Sequence, residues 1–544
     1  MKGTRHSFGR RRFLKQLGMA TVVGMAGLRS TVSTAQTPSP THKPNILFIF
    51  SDDLSYRDLS CYGQKQFRTP NLDKLAMNGI RFTNTYCGSP ECAPSRASLM
   101  TGMHMGHCRI RANRSVRGQD HLLTEDVTVA EVLQQAGYTT GFIGKWGIGL
   151  PNTEGTPDKQ GFDYSYGYYD QLRAHGFFPH YLMRNGKPEP LPGNYGFNMT
   201  RVYKHNTLDK SGEHDNTYNE NGRLIPDGVK NPAKAKYSED LFQKEALTFI
   251  RKNKDRPFFL YYATQLPHGP CITPNLGVYK DKPWSQKHKE WAAMVEHMDC
   301  GVGSMVALLE ELGILDNTII FFAGDNGYSH WGYFGRPPHE DDPLFKNKGP
   351  WPKGKFTCTH EGGMRVPFFA YWKGEIKTEE SEHICALYDI LATTADLAGA
   401  APPKTDGITL VPTLLGKPDE QRKHKYLYWE NGTGSPHAQS VRMDQWWAYR
   451  QHPSKPIELY DITKDIDCEE DLAEDNPNIV TKIKQILKEA HVNSEWYINP
   501  GESKAQIAAK RQKAQTTGQM QNPVRPNTTY RGRAGQMHGE ATPK

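Results

Sequence analysis

The sequence lacks features that would assign it to several common protein classes. No apolar run is long enough to cross a membrane, so we expect no stable membrane span. There is no Cys-x-x-Cys motif and no paired cysteine and histidine spacing, which argues against a structural zinc site. No internal repeat is present, which argues against a repeat architecture.

An excess of basic residues is absent from the middle of the chain. The formal net charge is +8, but residues 1–35 carry seven basic and no acidic side chains, and residues 501–544 carry eight basic and two acidic ones. The rest of the chain has 52 basic and 57 acidic residues. This distribution argues against nucleic acid as a partner, because such binding needs a positive surface on the folded part.

The first 35 residues have the order of an export signal. A basic segment, Arg10–Lys15, precedes a mildly apolar run over 17–28 and the small residues Ser33–Ala35. The Arg-Arg-x-Phe-Leu-Lys form resembles a twin-arginine signal, which implies the twin-arginine translocase as a partner and a periplasmic or secreted location. An amphipathic anchor helix is the alternative, although the glycines within 18–27 weaken a helix.

Four apolar segments, each typical of a buried strand, alternate with helical patterns. They span 45–51, 139–143, 257–264 and 318–323, and they predict an α/β domain with a mostly parallel or mixed sheet flanked by helices. Ligands of such sheets bind beyond the carboxyl ends of the strands. We therefore expect one site at this edge, formed by the polar residues that follow the four segments: Asp52, Asp53, Lys145, His268, Asp325 and Asn326.

The chain has 544 residues, more than one hydrophobic core usually holds, so we expect a large domain and a smaller one. The tyrosine-, glycine- and proline-rich segment 151–235 is interpreted as long loops that carry binding residues. Aromatic strands and a helix after residue 420 predict a small α+β subdomain. The predicted division is an export signal over 1–35, a linker over 36–42, a catalytic domain over 43–420, a C-terminal subdomain over 421–498 and a flexible basic tail over 499–544.

The carboxylates that follow two of the strands are candidate metal ligands. Adjacent Asp52 and Asp53 directly after a buried strand are costly unless a cation or hydrogen bonds compensate them, and Asp325 with Asn326 repeats the situation. Four oxygen donors without thiolate or imidazole suit a hard ion, Ca²⁺ more than Zn²⁺, with Mg²⁺ as the alternative. A solvated turn is the other interpretation of the Asp-Asp pair.

Cys92 stands at the predicted start of a helix. Pro94 suits the first helical turn, Ser95 can bond free amides there, and Gly102 is placed to end the helix. A helix start presents unpaired N–H groups that favour an anion, and Arg96 lies one turn further on. For an ordinary cysteine, a buried thiol or a disulfide is the alternative.

The segment Cys92–Arg96 reads Cys-x-Pro-x-Arg and resembles the signature of the sulfatase family. The segments Gly137–Trp146 and Glu361–Pro367 resemble further motifs of that family, so that the resemblance spans 43–498. It implies an alkaline-phosphatase-like fold and a Cys92 that a separate formylglycine-generating enzyme oxidises to Cα-formylglycine. The other eight cysteines could then pair as disulfides, with the connectivity left open.

The resemblance also implies that one divalent ion, usually calcium, contacts the formylglycine and the sulfate. Its protein ligands would be Asp52, Asp53, Cys92 as formylglycine, Asp325 and Asn326. The hydrated aldehyde has two hydroxyls: one attacks sulfur, and the other, once deprotonated, expels the sulfate and restores the aldehyde. A serine or a thiol cannot perform that second step.

Three further side chains have expected catalytic roles. Arg96 and Lys145 would hold the developing charge together with the metal, and His268 would protonate the leaving oxygen. A structural histidine in a Pro-His-Gly-Pro turn is the alternative for His268.

The sequence departs from the family pattern at two places. Gly147 stands where many sulfatases have a second active-site histidine, and we hypothesise that His175 supplies the missing group. The usual position of a further lysine is Phe356 here. Lys355 is the first candidate for that role and Lys353 the second, while a solvated surface lysine is the alternative for either.

These features predict an exported sulfuric ester hydrolase that releases sulfate from a small molecule or glycan, similar to bacterial arylsulfatase-type enzymes that act on sulfated carbohydrates. Two other functions stay open. A phosphate-monoester or phosphonate hydrolase of the same superfamily would share the metal residues. A glycan-binding relative without catalysis would keep Cys92 unmodified.

Overall fold

The structure is a computed structural model that describes residues 43–179, 181–194, 234–269, 271–329, 341–433 and 435–517, with 217–218, 221 and 224–225. The predicted export signal over 1–35 and linker over 36–42 lie outside the described residues. So do residues 518–544 of the predicted tail and most of 195–233.

The regular elements of the described part are as follows. The strands are β1 (Asn45–Asp52), β2 (Ile80–Phe82), β3 (Thr85–Tyr86), β4 (Thr139–Lys145), β5 (Tyr164–Tyr168), β6 (Tyr181–Arg184), β7 (Lys187–Pro190), β8 (Thr217–Tyr218), β9 (Leu224–Ile225), β10 (Phe258–Pro267), β11 (Thr318–Gly324), β12 (Phe368–Tyr371), β13 (Glu379–Ser381), β14 (Cys385–Ala386), β15 (Leu427–Gly432), β16 (Ser435–Met443), β17 (Trp446–Arg450) and β18 (Glu458–Asp461). The α-helices are α1 (Pro70–Met77), α2 (Cys92–Thr101), α3 (Val129–Gln135), α4 (Ser238–Asn253), α5 (Gln286–Glu311), α6 (Asp389–Leu397), α7 (Val411–Leu414), α8 (Pro477–Glu489) and α9 (Lys504–Thr516).

The large domain is built on a ten-stranded sheet with the order β13-β2-β12-β11-β1-β10-β4-β5-β6-β7. Its centre, from β11 to β5, is parallel, whereas antiparallel pairs flank the centre on both sides. The predicted α/β class and mixed sheet are confirmed. Because β1, β10 and β11 are buried along their whole length, they are continuous apolar runs in the sequence.

Helices cover both faces of this sheet. Helices α1, α4 and α5 pack on one face through a core that includes Phe242 and Trp291. Helices α2, α3 and α6 pack on the other through a core that includes Leu99 and Leu391. Contrary to the expectation that no segment is long and apolar enough to cross a membrane, helix α5 is, but 61% of its most apolar window is buried within the fold.

The interpretation of 151–235 as loops is wrong for part of that segment. Strands β5, β6 and β7 extend the sheet, with β6 and β7 joined by a hairpin turn at Asn185 and Gly186. Both turn residues have positive φ, 47° and 78°, as a two-residue hairpin turn requires. This Asn-Gly pair was the sequence signal that could have revealed the hairpin.

A second sheet, β15-β16-β17-β18, is antiparallel and packs against α8, which confirms a small C-terminal subdomain. Strand β16 was not predicted, because three of its buried residues, Gln439, Ser440 and Arg442, are polar, so the sequence shows no apolar run there. Helix α9 was also missed: it lies in the predicted tail and begins with a capping box between Ser503 and Gln506. All nine cysteines lie among the described residues, and all are free thiols, so none of the suggested disulfides forms.

A buried ionic network joins the loop after α2 to the subdomain. Arg111 donates to one Glu430 oxygen at 2.8 Å, and the other Glu430 oxygen contacts the Tyr428 hydroxyl and His491 Nδ1, both at 2.6 Å. Burial acts to lower the pKa of His491, but the Glu430 carboxylate outweighs burial and raises this pKa above its ordinary value.

We expect the stabilisation from His491 to fade with rising pH. A histidine whose pKa is raised in the folded state contributes its full stabilisation below its unfolded-state pKa, about 6.5. This stabilisation is lost as the pH rises through the folded-state pKa. The difference in unfolding temperature between the wild type and His491→Gln should be largest at about pH 6 and shrink toward about pH 9. The matched control is His452→Gln, because the His452 ring bonds the Ser454 hydroxyl rather than a carboxylate. A difference that is constant with pH would contradict this assignment.

Candidate active site

Asp52 and Asp53 end β1 and follow it at the carboxyl edge of the sheet, and both are completely buried. Asp53 has a φ of 62°, in the left-handed region, and its N–H donates to Asp325 Oδ1 at 3.0 Å. Asn326 Nδ2 donates to Asp53 Oδ1 at 2.8 Å. Residues from two strands distant in sequence are thus in direct contact, and the strained backbone of Asp53 is of the kind found at functional positions.

Cys92 is the buried first residue of α2. Gly102 ends this helix with a φ of 68°, as predicted. The expected cap is wrong: the Ser95 hydroxyl has no hydrogen-bond partner among the described residues, and the Asn113 side chain accepts from the Ala93 N–H at 3.0 Å instead. The first helical turn therefore takes its cap from a loop about twenty residues further along the chain.

Arg96 and Lys145 form ion pairs with the carboxylates of Asp325 and Asp52. Arg96 Nη2 lies 2.9 Å from Asp325 Oδ2 and 3.7 Å from Asp52 Oδ1, and its Nη1 donates to the Lys145 carbonyl oxygen at 2.8 Å. Lys145 Nζ donates to Asp52 Oδ2. Neither cation is exposed to solvent, so both act on charges inside the site.

Lys355 and His268 complete the cluster around Cys92. Lys355 Nζ donates to Asp53 Oδ1 and lies 3.2 Å from Cys92 Sγ. His268 Nε2 lies 3.3 Å from Asp53 Oδ2. Lys353 is only half-buried and has no described contact with these residues. The structure therefore brings the predicted metal ligands and the predicted catalytic side chains together in one cluster. Of the two lysine candidates, Lys355 lies in this cluster.

The oxygen atoms of the cluster fit a hard cation. Ligand atoms of Asp52, Asp53, Cys92 and His268 all lie within 4.8 Å of one another. Asp52 Oδ1 and Asn326 Oδ1 are buried and accept no hydrogen bond within the described part of the chain. Buried acceptors without donors are costly, so a cation that takes both oxygens would remove that cost.

The pKa values show how strongly the charges interact. Burial alone would raise the pKa of Asp52, but Lys145, His268 and Arg96 outweigh it and hold this pKa well below its usual range. Burial, and then the charge of Asp52, raise the pKa of Asp325 to about 7. Burial lowers the pKa of His268 to about 4, against the opposing effect of Asp53.

A family model described as Sulfatase matches residues 44–400. The chain belongs to the sulfatase family. Its members are sulfuric ester hydrolases, and its solved structures have the alkaline-phosphatase-like fold, so the predicted fold and enzyme class are confirmed for this sulfatase.

Several named sulfatases are similar to this one over most of its length. It is 28% identical to the N-acetylgalactosamine-6-O-sulfatase of Bacteroides thetaiotaomicron, over 82% of this chain and 93% of that protein. It is 32% identical to human arylsulfatase A, over 71% of this chain and 70% of that protein. Among solved structures, Ps i-CgsB is 27% identical, with a TM-score of 0.66 over 88% of this chain and 99% of that one. A second crystal structure of Ps i-CgsB contains k-i-k-neocarrahexaose.

The structure places the His175 ring beside that of His268 and the Gln171 side chain beside Gly147. The His175 ring stacks on the His268 ring, with 3.9 Å between centroids and 15° between planes. The side chain next to Gly147 is that of Gln171. His175 thus borders His268 in this sulfatase, and its role as a replacement group stays a hypothesis.

Two contacts of the site were not expected from the sequence. The Ser329 hydroxyl donates to Asp53 Oδ2 at 2.6 Å. Glu91, which precedes Cys92, accepts from the Asn113 N–H at 2.9 Å and from the Thr433 N–H at 2.6 Å. No local pattern marks these residues, because their partners are distant in sequence.

Proposed function

We propose that this sulfatase hydrolyses a sulfate ester on a sulfated carbohydrate, with Cys92 converted to formylglycine and with a calcium ion held by Asp52, Asp53, Asp325 and Asn326. The observation that carries the proposal is the position of Cys92 in a buried cluster with Asp52, Asp53 and His268, beside Lys355. The carbohydrate is supported by the names of two relatives, an N-acetylgalactosamine-6-O-sulfatase and a protein crystallised with a neocarrahexaose.

Calcium is preferred because the proposed protein side chains offer only oxygen atoms, and Mg²⁺ is the alternative. When bound, the ion supplies positive charge beside the sulfate oxygens. A hydrated aldehyde at residue 92 supplies an oxygen nucleophile that can be restored after each turnover. Both groups would lie where the structure has Cys92 and the two acceptor oxygens without donors, Asp52 Oδ1 and Asn326 Oδ1.

The chain's own side chains perform the remaining tasks. Lys355 is close enough to residue 92 to bind a sulfate oxygen, and Arg96 and Lys145 offset the negative charges of Asp325 and Asp52. His268 Nδ1 lies 2.5 Å from the Gly269 carbonyl oxygen, which only accepts, so Nδ1 carries a proton in this contact. Its Nε2 lies 3.3 Å from Asp53 Oδ2, whose charge favours the doubly protonated ring. In that imidazolium form, Nε2 gives its proton to the departing alcohol and leaves the neutral ring protonated at Nδ1.

The experiment compares an aryl sulfate with the matching aryl phosphate, using the full chain co-expressed with a formylglycine-generating enzyme. We expect a higher kcat/KM for the sulfate, loss of activity after chelation, and better recovery with Ca²⁺ than with Mg²⁺. A preference for the phosphate would favour the phosphate-monoester hydrolase. An unmodified Cys92 peptide in that host, together with no turnover of either compound, would favour the glycan-binding relative.

We also propose that the enzyme is exported through the twin-arginine translocase. The support is the arginine-containing segment Arg10–Lys15 and the apolar run after it. Translocation of a folded protein would allow the cytoplasm to modify Cys92 first. Fractionation of cells that produce the full chain or an Arg10→Lys, Arg11→Lys variant tests this location.

A further inference from the structure

A glutamine side chain occupies the space beside Gly147. Backbone hydrogen bonds from Trp146 to Tyr168 and from Gly147 to Tyr169 hold the segment after β4 against the end of β5. A β-carbon at position 147 would lie 2.5 Å from Gln171 Oε1 and 3.7 Å from Arg96 Cδ. The Gln171 carboxamide and the Arg96 side chain therefore approach the same side of Gly147, at the carboxyl edge of the sheet where the active site lies.

The Gln171 carboxamide is buried but not paired. The residue is only 5% exposed, and neither Oε1 nor Nε2 has a hydrogen-bond partner among the described residues. A buried amide without partners is costly, and most such groups in folded proteins are satisfied. The Gln171 amide lies beside Arg96 of the active site, and hydrogen bonds from a bound ligand would remove the cost of leaving it unpaired.

The backbone around Gln171 is well held. The Gln171 N–H donates to Gln119 Oε1 at 3.1 Å. The Asp170 carboxylate accepts from the Leu172 and Arg173 N–H groups at 2.7 and 2.9 Å. Because this turn is fixed by three hydrogen bonds, the backbone from which the Gln171 side chain extends is held in place.

We propose that Gln171 binds a hydroxyl group of the carbohydrate, next to the sulfate ester that is cleaved. This inference rests on the proposed function and deepens it. Sulfate oxygens only accept hydrogen bonds and could satisfy Nε2 alone. A sugar hydroxyl both donates and accepts, so neighbouring hydroxyls can satisfy Oε1 and Nε2 together. Gln171 is thus a specificity-determining residue for a hydroxylated substrate, and Gly147 provides the space for it.

The test compares two substrates in the same enzyme. The variant Gln171→Met keeps the length of the side chain and removes the amide, and Gln171→Glu keeps Oε1 and removes the donor. The substrates are N-acetylgalactosamine 6-sulfate and k-i-k-neocarrahexaose, and an aryl sulfate without sugar hydroxyls is the internal control. We expect kcat/KM on the accepted sugar to fall about 10- to 100-fold in Gln171→Met, while the aryl sulfate changes by less than about threefold.

Each outcome decides between the claims. An equal loss on sugar and aryl sulfate, or a large loss of unfolding temperature, would show that Gln171 acts only on the structure and would overturn the proposal. An unchanged ratio of the two kcat/KM values would mean that water or protein satisfies the amide, and would also overturn it. If the wild type cleaves the aryl sulfate but neither sugar, the carbohydrate part of the proposed function fails, and the role of Gln171 fails with it.

Discussion

Replacing Cys92 by alanine should abolish turnover of an aryl sulfate, with kcat reduced by at least about a thousandfold. The reason is that residue 92 lies beside Lys355 and within the cluster of Asp52, Asp53 and His268, and that it is the nucleophile of the proposed mechanism. Initial rates with purified wild type and Cys92→Ala, both co-expressed with a formylglycine-generating enzyme, measure the effect.

Mass spectrometry of the peptide that contains residue 92 provides the matching control. The wild-type peptide should carry the aldehyde, and the active fraction should follow the fraction converted. Cys87→Ala is a matched variant, because Cys87 is also buried near the site but donates to the Ser89 carbonyl oxygen instead of facing Lys355. It should keep most of its activity. Full activity in protein whose Cys92 remains a thiol would refute the mechanism.

The second large effect should come from Lys355. We expect Lys355→Met to lower kcat/KM for an aryl sulfate about a hundredfold or more, because the variant removes a cation that lies 3.2 Å from the side chain of residue 92. Lys353→Met, two residues away and half-buried, should stay within about twofold of the wild type. The two variants are measured under the same conditions, at saturating and at low substrate.

Lys355 also neutralises buried Asp53, so its loss could act through stability instead. Unfolding temperatures of both lysine variants separate the two causes, and Lys355→Arg should recover part of the activity by restoring the charge. If Lys353→Met were the more damaging change in a folded protein, the assignment of Lys355 to the sulfate would be wrong.

The part of the site that could be predicted from sequence is the part delivered by strand ends. Strands β1, β4, β10 and β11 are parallel neighbours, so Asp52, Lys145, His268 and Asp325 follow apolar runs that are visible in the chain itself. The start of α2 was equally visible, because proline and glycine mark its two ends. At these positions the local sequence marks the end of a strand or helix, and that end places the residue in the site.

The part that could not be predicted depends on backbone reversals and distant partners. Lys353 and Phe356 both have positive φ, and this irregular path decides which lysine enters the site. Gln171 was missed because β5 was interpreted as loop, so that no strand end was recognised before it. Ser329 follows Asp325 by four residues, but only the turn between them brings its hydroxyl to Asp53.

The C-terminal sheet has a consequence for how this enzyme can be divided or engineered. Trp429 donates to the Cys87 carbonyl oxygen, and Thr433 bonds Glu91, so β15 and the turn after it support the segment that leads into Cys92. Gly432 is pressed against the Phe356 carbonyl oxygen, next to Lys355, where a methyl group would not fit. A chain truncated before this sheet would lose these contacts to the segments that hold Cys92 and Lys355. The smaller sheet therefore supports the active site directly and is not an independent domain that could be removed.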